Sequence, residues 1–293
     1  MRINLVAIVG EANSGKSTLI NNILGEKISI VSPKAQTTRN NIHGIKSIND
    51  TQIVFVDTPG FCKTKSNINR ILHKNAKSAY IDSDTILVII DALSRNNTNI
   101  FNFLDSIKAF EHCNIIAAIN KVDCATKESI LGIASNLKDR NFVKRTFMIS
   151  AKRGDGINDL EKCLVSMSRD GTWYYDEKQT TNLPISFRLA EITREKVFLL
   201  LHQELPYNIY VETEVIQEFK SKVIIHQAIV ASKPNHKMII IGSGSSMIKE
   251  IKRLAALDMK KLFGGKNITL KLFVKIEKNW DTKKEHLRNS YLA

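Results

Sequence analysis

The segment GEANSGKS, Gly10 to Ser17, lies between an apolar run of strand type, Ile3 to Val9, and a stretch from Ser17 to Leu24 that reads as a helix ended by Gly25. A glycine-rich turn between a strand and a helix is the setting of a phosphate loop and points to a parallel α/β architecture. Glycines at 10 and 15 let backbone N–H groups turn inward around a β-phosphate, which the unpaired donors and dipole of the helix N-terminus also attract. The candidate cradle is Gly10, Glu11, Ala12, Asn13, Ser14, Gly15, Lys16, Ser17 and Thr18. Lys16 is placed to reach the β- and γ-phosphates as a catalytic cation, and Ser17 to set its hydroxyl on Mg²⁺.

Three further segments follow in the order that a guanine-nucleotide site needs. In DTPG, Asp57 closes the apolar run Gln52 to Val56, so its carboxylate is expected at the strand's C-terminal edge, holding Mg²⁺ through a water. Thr58 and Pro59 follow it, and Gly60 is the candidate donor of a backbone N–H to the γ-phosphate. In NKVD, after the run Ile115 to Ile119, Asp123 is set to accept from N1–H and the exocyclic amine of guanine, a donor pair that adenine lacks. Asn120 is expected to brace neighbouring loops, and Lys121 to lay its stem along the base. In SAK, Ser150 and Ala151 are expected to present N–H groups to the guanine O6, with Lys152 beside them. The four segments together predict a GTP-binding and GTP-hydrolysing domain.

Two local features bear on hydrolysis. Phe61 stands where many small GTPases carry a glutamine that orients water, so intrinsic turnover is expected to be slow. Asn13 has two readings, a K⁺ ligand near the β- and γ-phosphates or an ordinary turn residue.

Up to about residue 168, strand-like and helix-like stretches alternate as in a doubly wound sheet. Residues 169–183 are polar, contain Gly171 and the aromatics Trp173, Tyr174 and Tyr175, and read as a linker whose aromatics pack between domains. Residues 184–293 form the second predicted domain. It opens with a helix over 185–203, followed by strands at 207–216, 222–231 and 268–276. Between the last two, Met238 to Ile241 leads into GSGS at Gly242, Ser243, Gly244 and Ser245, and then into a helix bearing Lys249, Lys252 and Arg253.

Charge is unevenly spread along the 293 residues: the net is +7 over 1–175, −2 over 176–232 and +9 over 233–293. Such a basic tail implies a polyanionic partner, either RNA or an acidic lipid surface. The four cysteines, Cys62, Cys113, Cys124 and Cys163, have no C-x-x-C spacing and read as incidental thiols of a reducing cytosol. No apolar stretch approaches the ~20 residues of a membrane span, and the N-terminus is too short and strand-like for a signal peptide. The expectation is a cytosolic monomer.

These residues resemble the Era-type GTPases of bacterial small-subunit ribosome assembly, within the group that includes TrmE. The resemblance spans nearly the whole chain. KAQTTRN, Lys34 to Asn40, is similar to that family's switch I, which implies Thr38 as a catalytic and Mg²⁺-binding hydroxyl, with Thr37 the rival. REKVFLLLHQELPYNIYVE, Arg194 to Glu212, and the tail from Trp280 through Arg288 to Tyr291 are similar to its RNA-binding domain. The α-β-β-α-α-β order resembles a type II KH domain, in which a GXXG loop clamps single-stranded backbone. The implied fold is therefore α/β: a doubly wound P-loop GTPase domain followed by an α+β type II KH-like domain.

The implied partners are GTP, GDP, 16S rRNA near its 3′ end and the 30S subunit. Gly242, Ser243, Gly244, Ser245, Lys249, Lys252 and Arg253 are the RNA-binding candidates. The fourth loop position departs from GXXG, and Ser245 is either a weaker clamp or a hydroxyl cap on the next helix. A membrane-associated switch, touching the cytoplasmic face of the inner membrane through acidic lipid, is the alternative. A tRNA-modification GTPase fits poorly with a C-terminal KH-like domain.

Overall fold

The computed structural model describes residues 1–31, 42–58, 82–108, 110, 112–201 and 205–277. Two compact units divide at residue 182, one covering 1–182 and the other 183–293.

The first unit runs β1 (Arg2–Gly10), α1 (Lys16–Leu24), β2 (Ile42–Ile48), β3 (Thr51–Asp57), β4 (Thr85–Asp91), α2 (Thr98–Ile107), β5 (Asn114–Asn120), α3 (Lys127–Lys138), β6 (Arg145–Ile149), α4 (Ile157–Ser166) and the short β7 (Arg169–Asp170). Its sheet has the order β2-β3-β1-β4-β5-β6, with β7 antiparallel to the start of β1. From β3 to β6 neighbouring strands are parallel, and β2 alone on that path runs antiparallel, against β3. Parallel strands joined by helical crossovers are covered on both faces, which is why β3 is buried throughout and β4 up to its last residue. The register aligns the strand ends: Ile8 lies beside Asp57, Gly10 beside Ile89, Asp91 beside Asn120, and Asn120 beside Ile149. Every polar strand end read from the sequence therefore reaches one edge of the sheet, where open α/β folds bind ligands.

Of residues 169–183, expected as a linker, residues 169–182 fall within the first unit and are stitched to it. The indole of Trp173 donates to the Arg2 carbonyl at 3.1 Å. Buried Gln52 accepts from the N–H groups of Tyr174 and Tyr175 at 3.0 and 3.1 Å and donates to the Tyr175 carbonyl at 2.8 Å. Ile45 N–H donates to the Thr180 carbonyl at 2.9 Å, and His43 N–H to Asn182 Oδ1 at 3.0 Å. The physical reason is that β2 is an edge strand, whose outward-facing backbone groups need partners.

The second unit runs α5 (Ile185–Leu200), a 3₁₀ turn (Leu205–Asn208), β8 (Ile209–Glu218), β9 (Lys222–Ala231), α6 (Pro234–Ile241), a second 3₁₀ turn (Ser243–Ser245), α7 (Ser246–Leu262) and β10 (Asn267–Ile276). Met238 to Ile241 thus close a helix that Pro234 starts, since a proline at the first helical turn loses no bond there. The sheet has the order β10-β9-β8, with β8 antiparallel and β10 parallel to β9. Its core joins Val197, Ile229, Ile240 and Ile251 in one cluster and Leu189, Ile225, Ala255 and Met259 in another. Buried Lys196 pairs with Glu195 at 2.8 Å and with Asp258, fastening α5 to α7.

Candidate functional site

The turn from β1 into α1 is shaped by contacts that forbid a side chain. A Cβ at Gly10 would stand 2.5 Å from the Ile89 carbonyl oxygen, and one at Gly15, whose φ is 98°, would overlap the amide of Asn120. Helix α1 has neither a side-chain cap nor an acidic residue in its first turn, so its leading N–H groups suit an anion. Asn13 takes a left-handed φ of 64°, turn geometry that asparagine tolerates better than most residues.

Lys16 is buried with its ammonium on the carbonyls of Gly10 and Glu11 at 3.1 and 2.9 Å. Burial lowers its pKa to about 8, against the opposing pull of Asp57 and Glu11. Asn99 donates to Glu11 Oε1 at 3.1 Å, tying the loop to the first turn of α2. Ser17 Oγ donates to Asp57 Oδ2 at 2.9 Å, while the Thr58 hydroxyl is spent on the Ile8 carbonyl at 2.7 Å. The Ser17 and Asp57 oxygens form a hard-oxygen pair of the kind that Mg²⁺ accepts. Thr37, Thr38, Pro59, Gly60 and Phe61 lie outside the described residues.

On the base side, Asn120 uses both ends of its amide. Its nitrogen donates to the Ser14 carbonyl at 2.8 Å, and its oxygen accepts from Ala151 N–H at 2.9 Å. Ser150 N–H is likewise occupied, by the Asp155 carbonyl at 3.0 Å. The two N–H groups assigned to the guanine O6 are thus engaged within the fold, because the buried end of β5 and the loop after β6 must satisfy one another. Asp123 accepts from Cys124 Sγ at 3.3 Å and lies 3.5 Å from Arg153 Nε. Hydrogen bonds from Ser150 and Cys124, with Arg153 nearby, hold its carboxyl below the usual range, so it stays an acceptor at neutral pH. Lys152 follows in the same loop, exposed.

Asp91 is a member of this site that sequence reasoning missed. It lies at the end of β4, and its Oδ2 holds the Lys121 ammonium at 2.5 Å. The signal was available: an acidic residue closes the run Ile86 to Ile90, as Asp57 closes its own.

In the second unit, Gly242, Gly244 and Ser245 all have left-handed φ values, of 73°, 56° and 62°. A Cβ at Gly242 would stand 2.7 Å from that of Met247, whereas one at Gly244 meets nothing within 4 Å. Ser245 is the N-cap of α7, yet its hydroxyl makes no capping bond. A side chain reaches the second or third N–H of a helix from extended backbone, which a left-handed residue lacks.

A cation reaches the loop from the helix: Lys249 Nζ lies 3.4 Å from the Gly244 carbonyl. Lys249, Lys252 and Arg253 are exposed on one face of α7 and line a groove of about 370 Å³ against Ile268, Thr269 and Leu270 of β10. Arg253 pairs with Glu250 at 2.7 and 2.8 Å, so the two lysines carry most of the unshared charge. Met238 and Ile239, just before the loop, expose 72% and 53% of their surface, an apolar neighbour that the charge pattern did not reveal.

Among the described residues no three or more His, Cys, Asp or Glu side chains converge as a metal cluster, and no helix is long and apolar enough to cross a membrane. Cys113 and Cys163 are buried and Cys124 is exposed, all as free thiols. Residues 5–121 match a family described as 50S ribosome-binding GTPase, and residues 204–281 match the KH domain family. The chain is 39% identical over 288 residues to the GTPase Era of Rhizobium meliloti, covering 98% of this chain and 91% of that protein. It is 38% identical to that of Rickettsia bellii, covering 96% and 95%.

The chain belongs to the Era GTPase family. A solved structure of Era in complex with MgGDPNP and nucleotides 1506–1542 of 16S ribosomal RNA aligns at a TM-score of 0.87, with 33% identity over 98% of each chain. A variant of Aquifex aeolicus Era bound to GDP and AlF₄⁻ aligns at 0.88, with 32% identity over 98% of each chain. The Era architecture, a GTPase domain followed by a KH domain, is thus present throughout, and the chain is a GTPase.

Proposed function

We propose that this Era-family GTPase binds the 3′ region of 16S rRNA through its KH unit and that GTP hydrolysis times its release from the assembling 30S subunit. The observation that carries this reading is the full-length similarity to an Era bound to nucleotides 1506–1542 of 16S rRNA, together with a lysine-lined groove beside the Gly242–Ser245 loop. The description of the GTPase family names the large subunit, but that match covers residues 5–121 and leaves out the KH unit.

In the nucleotide site, the N–H groups from Gly10 to Thr18 surround the phosphates, and Lys16 leaves its carbonyl partners for the β- and γ-oxygens. Ser17 directly, and Asp57 through a water, would hold Mg²⁺, which supplies positive charge where phosphate charge shifts during transfer. Asp123 reads guanine, Lys121 flanks the base, and Ser150 to Lys152 close the pocket beside it. Thr38, with Thr37 the rival, and Gly60 keep the switch roles that family membership suggests. Asn13 is assigned to K⁺, and faster hydrolysis in K⁺ than in Na⁺ tests that assignment; equal rates would leave it a turn residue. A cytosolic monomer accords with this role.

Crosslinking the protein to cellular RNA and sequencing the attached fragments tests the proposal. The 3′ end of 16S rRNA is the expected product. Enrichment of 23S rRNA or tRNA, or binding to anionic vesicles without RNA capture, would contradict it.

A further inference from the structure

The Lys121 side chain is ion-paired with a carboxylate from another strand. Asp91 holds its ammonium at 2.5 Å, while Asp123, two residues on, has Cys124 and Arg153 beside it. Asp91 is itself fixed twice: it pairs in register with Asn120, and its Oδ1 accepts from Leu93 N–H at 3.0 Å. Ala92 N–H adds a bond to the Asn120 carbonyl at 3.0 Å, and Ser129 Oγ closes the same corner on the Ala92 carbonyl at 2.7 Å. Lys121 has a left-handed φ of 67°, a conformation that a lysine holds only when its surroundings impose it. The Asp91 pair is only 18% and 32% exposed at its two side chains, and Cys124 N–H donates to the Lys121 carbonyl at 3.0 Å in the same turn.

We infer that Asp91 is a positioning residue for the guanine site: it fixes the Lys121 ammonium at the end of β4, which lays the lysine stem beside the base. The inference rests on the reading of Asp123 as the base reader. Asp91→Asn keeps an acceptor for Leu93 N–H and removes only the charge, so the fold should survive. In the full-length chain, fluorescent GDP titration should give about tenfold weaker binding for Asp91→Asn, with GTP weakened equally. The saturating hydrolysis rate should stay near that of the parent, so that KM moves and kcat does not. Lys121→Met should weaken binding to a similar degree, and the Asp91→Asn/Lys121→Met double variant should bind no worse than Lys121→Met alone.

Additive losses in the double variant, unchanged affinity of Asp91→Asn, or a fall in kcat at constant KM would each overturn the proposal. Asp123→Asn, assayed with xanthine nucleotide, separates the two layers. If it switches preference to xanthine while Asp91→Asn binds as the parent does, only the positioning role falls. If it keeps its preference for guanine, the base-reader reading falls first.

Discussion

The side-chain amide of Asn120 donates to the Ser14 carbonyl at 2.8 Å, so the end of β5 and the phosphate loop, 106 residues apart in sequence, are one structural piece. The same amide accepts from Ala151 N–H, which draws in the loop after β6. The segments assigned to phosphate and base recognition are therefore joined through a single buried side chain.

Asn120→Ala leaves a buried carbonyl and a buried N–H without that partner, at a cost of about 2–3 kcal/mol. Isothermal titration should show roughly a hundredfold loss of GDP affinity. Gly15→Ala, whose methyl would meet the same amide, should lose a similar amount. Parent-like affinity in both variants would separate the two loops.

Lys16 should make nucleotide binding pH-dependent. Its pKa in the free protein, about 8, lies below its ordinary value of 10.5 because burial disfavours the charge. The unfolded chain therefore holds more protons between these values, and the stability of the free protein rises with pH across that window. Below pH 8 the full burial cost of about 3 kcal/mol is present. Phosphates restore the charge, so GDP binding at pH 9 should take up about one proton and at pH 6.5 about none. Calorimetry in buffers of differing ionisation enthalpy measures this, and Lys16→Arg, always charged, should abolish the uptake. Equal uptake in Lys16→Arg would assign the proton to another group.

Gln52→Ala removes the acceptor of two backbone N–H groups and the donor to one carbonyl in the strap formed by residues 169–182. The expected destabilisation is about 3 kcal/mol, read as a lower denaturation midpoint with parent-like RNA binding. A change below about 0.5 kcal/mol would mean that the strap adds little to the first unit.

How much of this was legible in the sequence depends on the range of the interactions. The strands could be placed because each buried apolar run stops at a polar residue, as at Asp57 and Asn120, and parallel sheets leave that alternation of pattern in the chain. The strap looked like a linker because its partner, Gln52, lies more than 120 residues away and no local period marks the pairing. Ser245 looked like a cap because composition favours serine there, while its left-handed backbone is set by the loop. Asp91 carried the same strand-end signal as Asp57 but no motif to direct attention to it.

The KH unit should respond to salt as a phosphate binder does. Lys249→Ala and Lys252→Ala should each weaken single-stranded RNA binding across sequences and reduce the slope of log K against log salt by about 0.7. Gly244→Asp tests the loop without the clash expected at Gly242, since its side chain meets no neighbour and brings a carboxylate to the phosphates, although its φ of 56° strains any side chain there. An affinity indifferent to all three changes would place the RNA elsewhere.

The central measurement is nucleotide preference in Asp123→Asn. In the proposed site guanine would offer donors at N1 and its exocyclic amine to the Asp123 carboxylate; xanthine has a carbonyl in place of that amine, which suits an amide. The variant should bind xanthosine triphosphate more tightly than GTP, while the parent does the reverse, a swap that general loss of folding would not produce. A folded variant that still prefers GTP would contradict the assignment of Asp123 and, with it, the proposed guanine site.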